Sequence, residues 1–423
     1  MFKDLPARPA TELDELIEMA ANASGVLEGL RDQMLDPYPR KQAPEFTSHQ
    51  VASLCGFDRT TLKNKEALTK TVRGRVKEGS NQKIYTLEEA IASVIDFSGN
   101  QLRPEGAQAK VIGICSYKGG VGKTTSAVSI AQGLTLKGHK VLLVDMDGQG
   151  SATTLFGISP ELEIGFSDTV ASEINAENPD FLKLVRPTYW HNLDLIPASA
   201  SVLFAEFYIP MLVSQAREKD ELFNMYGCVH NGLNAAKEVY DVIVFDTSPS
   251  LNYLTQNAIF ASDMIFSPCP QKSLDLASLS QFWSIFSELS ASAKYPDGDD
   301  ISAPARAARD FMLTKKYDLV EVFMSMTKSD KDELGQTVKG WLKQSYKEHF
   351  WDIGIPESTI PEIQSAQLKT VFDMTGKECN TQAYKRYKEP LDALITHINH
   401  ELHLAWKRNE SSVPIDRLGL MGV

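Results

Sequence analysis

The sequence predicts an α/β fold, a mostly parallel sheet wrapped by helices on both faces, preceded by a long helix and a small winged helix-turn-helix domain. Three observations support this fold class. Short, continuously apolar runs such as 141–144 and 242–245 alternate with segments of helical spacing. An aspartate follows each of these two runs, as is typical of buried parallel strands that present carboxylates at one edge of the sheet. A third run, 111–114, leads into a glycine-rich loop and then into a helical pattern.

Composition limits the class of protein. The chain has 423 residues, 43% of them hydrophobic, which is enough for several domains, and we divide it into 1–40, 41–105 and 106–423. No run of about eighteen apolar residues and no signal peptide is recognisable, which predicts a cytoplasmic protein. Five scattered cysteines predict reduced thiols rather than ligands or disulfides. The net charge of −12 requires any DNA contact to use a local basic patch.

The first element is predicted to be one helix over residues 11–36, which ends before Pro37 and Pro39. Its apolar residues recur alternately every three and four positions and form a heptad seam. The seam consists of Leu13, Leu16, Ala20, Ala23, Leu27, Leu30 and Met34. Such a seam packs either on its own domain or on a second copy of the chain. Its regularity favours a dimerisation helix within residues 1–40.

The next unit, residues 46–98, has the order of elements of a DNA-binding module. Thr47 and Gln50 form a capping-box signature for a short helix, and Asp58 can cap a second one after a turn at Gly56. Two helices joined by a short turn containing glycine are a helix-turn-helix. A turn and a strand-like segment follow at 79–85. The unit resembles the winged helix-turn-helix of MerR-like repressors.

The charge of this unit supports contact with duplex DNA. Between residues 57 and 86, eight basic side chains face three acidic ones, a surplus of five in an acidic protein. In such modules the second helix enters the major groove and the wing contacts phosphates. The candidate DNA contacts are Arg59, Thr60, Thr61, Lys63, Arg73, Arg75 and Lys83. The alternative is a solvated basic face on a small helical adaptor.

The glycine-rich loop at residues 115–125 reads CSYKGGVGKTT. Its glycines allow consecutive backbone N–H groups to point at one anion, and the following helix N-terminus and Lys123 add positive charge. Thr124 offers a hydroxyl to Mg²⁺. The common pattern G-x-x-x-x-G-K-[ST] is not met, because Tyr117 occupies its first glycine position, but an additional lysine, Lys118, is present. The loop resembles the deviant phosphate loop of the ParA/MinD family of ATPases.

This resemblance implies ATP or ADP and Mg²⁺ as ligands and a homodimer that closes around nucleotide. Lys118 would then enter the partner's site, so that Lys118 and Lys123 are both catalytic. The nucleotide-binding loop would comprise Lys118, Gly119, Gly120, Val121, Gly122, Lys123, Thr124 and Thr125. Thr327 and Pro361, the latter in a predicted loop at 355–361, follow where relatives hold the adenine.

Two strand ends carry the remaining carboxylates. The strand 141–147 ends in Asp145 and Asp147, where the family has Asp-x-Asp-Pro-Gln, and Gly148 replaces the proline. By resemblance, Asp145 orients the attacking water and supports Mg²⁺, and Asp246 at the Walker B position binds Mg²⁺ through a water. Thr124, Asp145 and Asp246 are thus the candidate metal residues. A strand-end aspartate can alternatively cap the next helix.

Two basic stretches in the C-terminal half could bind DNA without sequence preference or could be ordinary solvated faces. One has lysines at intervals of four at 339, 343 and 347. We favour the other, because relatives carry nonspecific DNA contacts in this half of the chain. It consists of Lys369, Lys377, Lys385, Arg386 and Lys388.

An ATPase of this type, preceded by a helix and a winged helix-turn-helix, resembles the larger ParA partition proteins. The resemblance implies a weak, nucleoid-associated ATPase for plasmid or chromosome segregation, whose ATP-bound dimer binds DNA and is stimulated by a ParB-type centromere-binding protein. The N-terminal domain would repress its own operon. One alternative is a nucleotide-sensing transcriptional regulator. Another is a MinD-like positioning ATPase, but the tail at 411–419 lacks the basic amphipathic helix of a membrane anchor.

Overall fold

The computed structural model describes residues 11–35, 40–71, 73–100, 102–296, 301–328, 332–358, 360, 369–374 and 380–411. The strands are β1 Phe46–Thr47, β2 Arg75–Val76, β3 Lys83–Tyr85, β4 Lys110–Ile114, β5 Val141–Met146, β6 Arg186–Pro187, β7 Leu193–Ile196, β8 Val242–Thr247, β9 Met264–Pro270, β10 Leu319–Thr327 and β11 Phe350–Pro356.

The α-helices of the described residues are α1 Leu13–Met34, α2 Ser48–Leu54, α3 Arg59–Thr69, α4 Leu87–Phe97, α5 Lys123–Thr135, α6 Ser151–Leu155, α7 Pro160–Glu163, α8 Val170–Ile174, α9 Ala205–Lys219, α10 Cys228–Gly232, α11 Asn234–Val239, α12 Tyr253–Ala261, α13 Ser273–Lys294, α14 Ala303–Thr314, α15 Glu333–Tyr346 and α16 Thr381–Ser411. Short 3₁₀ turns occupy Phe166–Asp168, Phe181–Leu184, Ala200–Phe204 and Lys347–His349. None of the described helices is long and apolar enough to cross a bilayer.

Within the described part of the chain, the central sheet has eight strands in the order β11-β10-β9-β4-β8-β5-β7-β6. Its neighbouring strands pair in parallel except for β6 and β7, which pair antiparallel. In this register Asp246 on β8 lies between Ile114 on β4 and Asp145 on β5. The glycine-rich loop and both strand-end carboxylates therefore meet at one rim of the sheet, as the carboxyl ends of parallel strands must.

Helices cover both faces of this sheet, which confirms the predicted α/β fold class with a mostly parallel sheet. Successive residues of a strand point to opposite faces. Ile112 packs in a core with α5 and α16, while its neighbour Val111 packs in a separate core with α8 to α12. Leu143 and Leu142 on β5 divide in the same way.

The N-terminal unit is joined to the larger unit by a continuous core. Leu62 on α3 and Val94 on α4 belong to the same buried cluster as Leu134 on α5 and Leu394 on α16. The strands β1, β3 and β2 form a small antiparallel sheet beside these helices. The boundary predicted near residue 105 therefore separates two stretches of chain whose apolar residues pack together.

Hydrogen bonds and ion pairs of Arg40 and Lys41 also attach the N-terminal region to the larger unit. The Arg40 guanidinium donates to the Gly157 carbonyl at 2.9 Å and to Glu163 at 2.6 Å. Lys41 Nζ donates to the Leu155 carbonyl at the end of α6 at 2.6 Å and to Asp373 at 2.9 Å. Burial lowers the pKa of Lys41, although the Asp373 carboxylate opposes that shift.

Helix α1 lies within the predicted range, and residues 11–27 are exposed. Leu13 is 71% and Ile17 59% exposed, and α1 lies against the rest of the chain mainly at α7. The seam residues Leu30 and Met34 fall where side chains are outside the described part. The exposed seam agrees with the expectation of a dimerisation helix, which stays a prediction.

The loop predicted at 355–361 is partly wrong, because Ile355 and Pro356 belong to β11. Pro356 pairs with Thr327 of β10, and Ile355 is buried. A proline is tolerated at this point because it ends the strand and needs no further ladder donor.

Gly133 on α5 provides a test of the packing between α5 and α16. A Cβ at this position would lie 2.3 Å from Ile395 Cδ1, so we expect Gly133→Ala to lower the free energy of unfolding by about 1–3 kcal/mol through overpacking. Gly340 on α15 is the matched control, because a Cβ there meets no atom within 4 Å. Gly340→Ala should raise stability by about 0.5–1 kcal/mol. Urea unfolding of both variants would contradict this packing if the two changed stability in the same direction.

Candidate functional site

The glycine-rich loop connects β4 to α5 and leaves the start of α5 without a side-chain cap. Gly120 and Gly122 have positive φ values of 70° and 92°, and Gly122 is the N-cap residue of α5. Among the residues that the structure describes, no side-chain oxygen accepts a hydrogen bond from the first turn of α5 at this cap. The backbone N–H groups at the start of a helix require acceptors. This helix start therefore has the geometry of an anion site.

Lys123 is the first residue of α5, and it is almost completely buried. Its Nζ donates to the Lys118 carbonyl within the loop at 2.8 Å. Burial lowers the pKa of Lys123, while attraction from Asp246 and Asp147 partly offsets this effect. A cation held beside two carboxylates and the helix start can neutralise a bound polyphosphate.

A cleft of about 550 Å³ opens above this loop. It is large enough for a nucleotide-sized ligand. Residues from the loop, the end of β5, α6 and two later strand ends form its walls. They are Gly119, Gly120, Gly122, Lys123, Thr124, Thr125, Asp147, Gln149, Ser151, Thr154, Leu155, Pro249 and Met326.

Asp246 is a buried carboxylate at the end of β8. Neither of its oxygens receives a hydrogen bond from the described residues, although the nearby Thr124 hydroxyl offsets part of the rise in its pKa. Burial, followed by repulsion from Asp145, raises the pKa of Asp246 well above its usual range. A buried carboxylate without a donor requires a cation or a proton. Oxygen ligands from Asp246 and Thr124 fit Mg²⁺.

Asp145 and Asp147 take different places, which the sequence could not distinguish. Asp145 is fully buried, and its carboxylate accepts hydrogen bonds from Thr153 and from the Asp147 amide. Burial raises the pKa of Asp145 to about 6 in spite of these donors. Asp147 lines the cleft. The structure thus brings Asp147 to the cleft, whereas the prediction assigned that place to Asp145.

Lys118 points away from the cleft toward α13. Its Nζ forms an ion pair with the carboxylate of Asp275, whose side chain is 4% exposed, while 43% of the Lys118 side chain is exposed. The two residues are 157 positions apart. Their pairing therefore could not be predicted from local sequence. Within one subunit, Asp275 therefore neutralises Lys118, the residue that the family resemblance assigns to the contact between subunits.

The predicted adenine-side residues are only partly described. Thr327 ends β10, and its side chain lies beside Gly354 of β11 rather than in the cleft wall. Its neighbour Met326 lines the cleft with a φ of 51°. Pro361 lies outside the described residues.

The predicted DNA contacts of the N-terminal unit separate into two groups. Arg59, Thr60 and Lys63 are exposed near the start of α3, and Thr61 is half-buried there. Its backbone N–H donates to the capping Asp58 carboxylate at 2.7 Å.

The second group is held in ion pairs within the unit. Arg73 pairs with Asp96 and Arg75 with Glu45, both at 2.6 Å, and Lys83 pairs with Glu66 at 2.8 Å. The exposed start of α3 is therefore the part of this unit whose predicted DNA contacts are less engaged in ion pairs.

The C-terminal basic stretch is also divided. Lys385 and Arg386 are exposed on α16, where Arg386 donates to the Glu357 carbonyl at 3.3 Å. Lys388 is paired with Asp392 at 2.6 Å and lies over the Phe372 ring. Lys369 is half-buried, and Lys377 lies outside the described residues.

Comparisons with known proteins agree with this site. The family model described as an AAA domain matches residues 109–295, a range that begins at β4 and includes the cleft loop. The protein SopA of Escherichia coli K12 is 31% identical over 261 residues, which are 60% of this chain and 66% of SopA. A virulence plasmid ParA family protein of Chlamydia psittaci is 34% identical over 41% of this chain and 63% of that protein.

A solved structure of a partition protein has the same fold over most of the chain. It covers 92% of this chain and 99% of its own length, with a TM-score of 0.65 and 20% identity. Together with the lysine-containing loop and the strand-end carboxylates, the matching family model and the sequence relatives show that the chain belongs to the ParA family of ATPases.

Proposed function

We propose that this chain is an ATP-dependent partition protein for plasmid or chromosome segregation. It binds Mg²⁺ with ATP in the described cleft and hydrolyses the nucleotide slowly. Its ATP-bound dimer binds DNA and responds to a ParB-type protein, and its N-terminal unit represses its own operon. The observation that carries this proposal is the buried Asp246 carboxylate, which has no donor among the described residues and lies beside the uncapped start of α5.

The residues around the cleft have separable roles in phosphoryl transfer, which depends mainly on positioning and charge neutralisation. The amides at the start of α5 and Lys123 hold the phosphates. Thr124 and Asp246 would hold Mg²⁺, which neutralises developing phosphate charge when it is bound. Asp147 orients the attacking water, because it is the strand-end carboxylate in the cleft wall. Asp145 holds Asp147 in place, because its carboxylate accepts a hydrogen bond from the Asp147 backbone N–H.

Lys118 links hydrolysis to dimerisation in this proposal. Its ion pair with Asp275 keeps the side chain out of its own cleft, so its charge can assist phosphoryl transfer only after that pair is exchanged. A second subunit that faces the cleft would receive this lysine. The exposed seam of α1 supports a further contact between the two N-terminal regions.

DNA contacts are proposed on two surfaces. The exposed start of α3 supports sequence-specific contact by Arg59, Thr60 and Lys63 in the major groove. Lys385 and Arg386 on α16 support contact with phosphates of any sequence, with a steep dependence on salt.

A second candidate function is a nucleotide-sensing regulator without a segregation role. The core shared by α4 and α5 favours this alternative, because that core joins the proposed DNA-binding unit directly to the helix that follows the phosphate loop. Plasmid inheritance separates the two functions. Normal inheritance in an Asp147→Ala strain that has lost ATPase activity would support the regulator.

Asp246→Asn tests the metal site. In the absence of Mg²⁺ we expect this variant to gain about 1–3 kcal/mol of stability, because a buried, donor-free carboxylate becomes a neutral amide that can donate to Asp145. The increase in melting temperature caused by Mg²⁺ with a non-hydrolysable ATP analogue should disappear.

The matched control is Asp241→Asn at the opposite end of β8. Asp241 pairs with Arg103 at 3.0 Å, so this variant should lose stability yet keep the nucleotide-induced shift. A normal shift in Asp246→Asn would remove Asp246 from the metal site.

The two loop lysines should affect different steps. We expect Lys123→Ala to weaken ATP binding at least about 100-fold, since it removes a buried cation from the phosphate site. Lys118→Ala should leave the ATP dissociation constant within about threefold and lower the turnover number about 10- to 100-fold. Fluorescent-nucleotide titration and steady-state phosphate release measure the two quantities. Unchanged ATP affinity in Lys123→Ala would refute the site, and full turnover in Lys118→Ala would refute the role of that lysine.

The start of α3 should determine operator binding. We expect Arg59→Ala or Lys63→Ala to weaken binding to the DNA upstream of the protein's own gene by about 1–3 kcal/mol per lost contact. The ATPase activity should stay unchanged. Lys219→Ala on the exposed end of α9 is the control and should bind normally. Fluorescence anisotropy at several salt concentrations measures these affinities, and equal affinities for all variants would exclude this face of α3.

A further inference from the structure

Thr153 on α6 has a hydrogen-bonding position that its sequence context does not indicate. Its backbone N–H and its hydroxyl both lie near Oδ2 of Asp145, at 2.9 and 2.8 Å. The same hydroxyl accepts a hydrogen bond from the Ala198 backbone N–H at 2.9 Å. All three residues are completely buried. Bulk solvent therefore has no access to these contacts.

The direction of the Thr153 hydroxyl proton is determined by its neighbours. A backbone N–H can only donate, so Thr153 Oγ1 must be the acceptor from Ala198. The single hydroxyl proton is then available for Asp145. Oδ2 of Asp145 consequently accepts two hydrogen bonds from one residue, and this fixes the carboxylate plane.

The other oxygen of Asp145 extends the chain of contacts to the cleft. Asp145 Oδ1 accepts from the Asp147 backbone N–H at 3.1 Å. The Asp147 carboxylate in turn accepts from the Gln149 N–H at 3.1 Å, and the Asp147 carbonyl accepts from the Gly150 N–H at 2.8 Å. Starting from Ala198 after β7, the contacts thus pass through Thr153 and Asp145 to the residue that lines the cleft.

The loop that carries Asp147 needs such support. Gly148 and Gly150 follow it, and Gly150 has a φ of 59°, so the local backbone restricts its own conformation weakly. The buried contacts from Asp145 supply the restriction from outside the loop.

From these contacts we propose that Thr153 is a positioning residue for ATP hydrolysis, which acts through Asp145 to hold Asp147 in the orientation that aligns the attacking water. This inference rests on the proposed function, in which Asp147 has that role. Thr153 itself does not line the cleft, so its loss should affect turnover rather than nucleotide affinity. Small misplacements of a reacting group cost large factors in rate.

Thr153→Val and Thr153→Ser test the proposal in the full chain. Valine keeps the shape and removes the hydroxyl, whereas serine retains it. We expect Thr153→Val to lower the turnover number about 10- to 100-fold with an ATP dissociation constant within about threefold of the original. Thr153→Ser should restore turnover to within about threefold. Full turnover in Thr153→Val, or loss of turnover in Thr153→Ser equal to that of valine, would overturn the proposal.

Thr169→Val is the matched control. Thr169 is also a completely buried threonine, and its hydroxyl donates to the Phe166 carbonyl at 3.0 Å, away from the cleft. This variant should lose thermal stability but keep its turnover number. A comparable fall in turnover would mean that loss of stability alone explains the effect of Thr153→Val.

Hydrogen exchange in the nucleotide-free protein gives a readout that does not depend on ATP hydrolysis. The amides of Asp147 and Gly150 should exchange faster in Thr153→Val, and at the original rate in Thr153→Ser and Thr169→Val. Unchanged exchange in Thr153→Val would refute the relay even if the chain is an ATPase. Faster exchange with no detectable ATPase activity in the original chain would refute the proposed function instead.

Discussion

The structure depends on one unusual electrostatic feature, a fully buried carboxylate at Asp246 that has no hydrogen-bond donor among the described residues. An isolated buried charge costs several kcal/mol unless a cation or a proton compensates it. The surrounding architecture is arranged for that compensation. Lys123 lies beside the carboxylate, Thr124 offers a hydroxyl, and the uncapped start of α5 attracts the negative charge that a metal–phosphate complex carries.

A second constraint joins this site to the N-terminal region. Helix α6 contributes Leu155 to the cleft wall, and the Leu155 carbonyl accepts a hydrogen bond from Lys41. Buried residues of α4 belong to the same hydrophobic core as buried residues of α5. A movement of α5 or α6 on nucleotide binding would therefore reach residues packed directly against the N-terminal unit, which supports the proposed link between nucleotide and DNA binding.

The parts that sequence predicted well are those set by local chemistry. Residue type and spacing determine the loop at 115–125, the strands that carry Asp145 and Asp246 near their carboxyl ends, and the cap at Asp58. Sequence reasoning failed where partners are distant: it missed the pairing of Lys118 with Asp275 and the contacts of Thr153. It also favoured Asp145 over Asp147 for the cleft, since both follow the same apolar run and only the tertiary contacts distinguish them. Sequence reasoning also assigned the end of β11 to a loop, because a glycine and a proline in this strand are typical of loops.

The central claim is that a metal-bound triphosphate completes the charge balance around Asp246. Isothermal titration of ATP into the full chain, once with Mg²⁺ and once with a chelator, tests it most directly. The account predicts binding that weakens at least about 100-fold when Mg²⁺ is removed, the scale of a lost multidentate charge contact. Equal affinity with and without Mg²⁺ would contradict it.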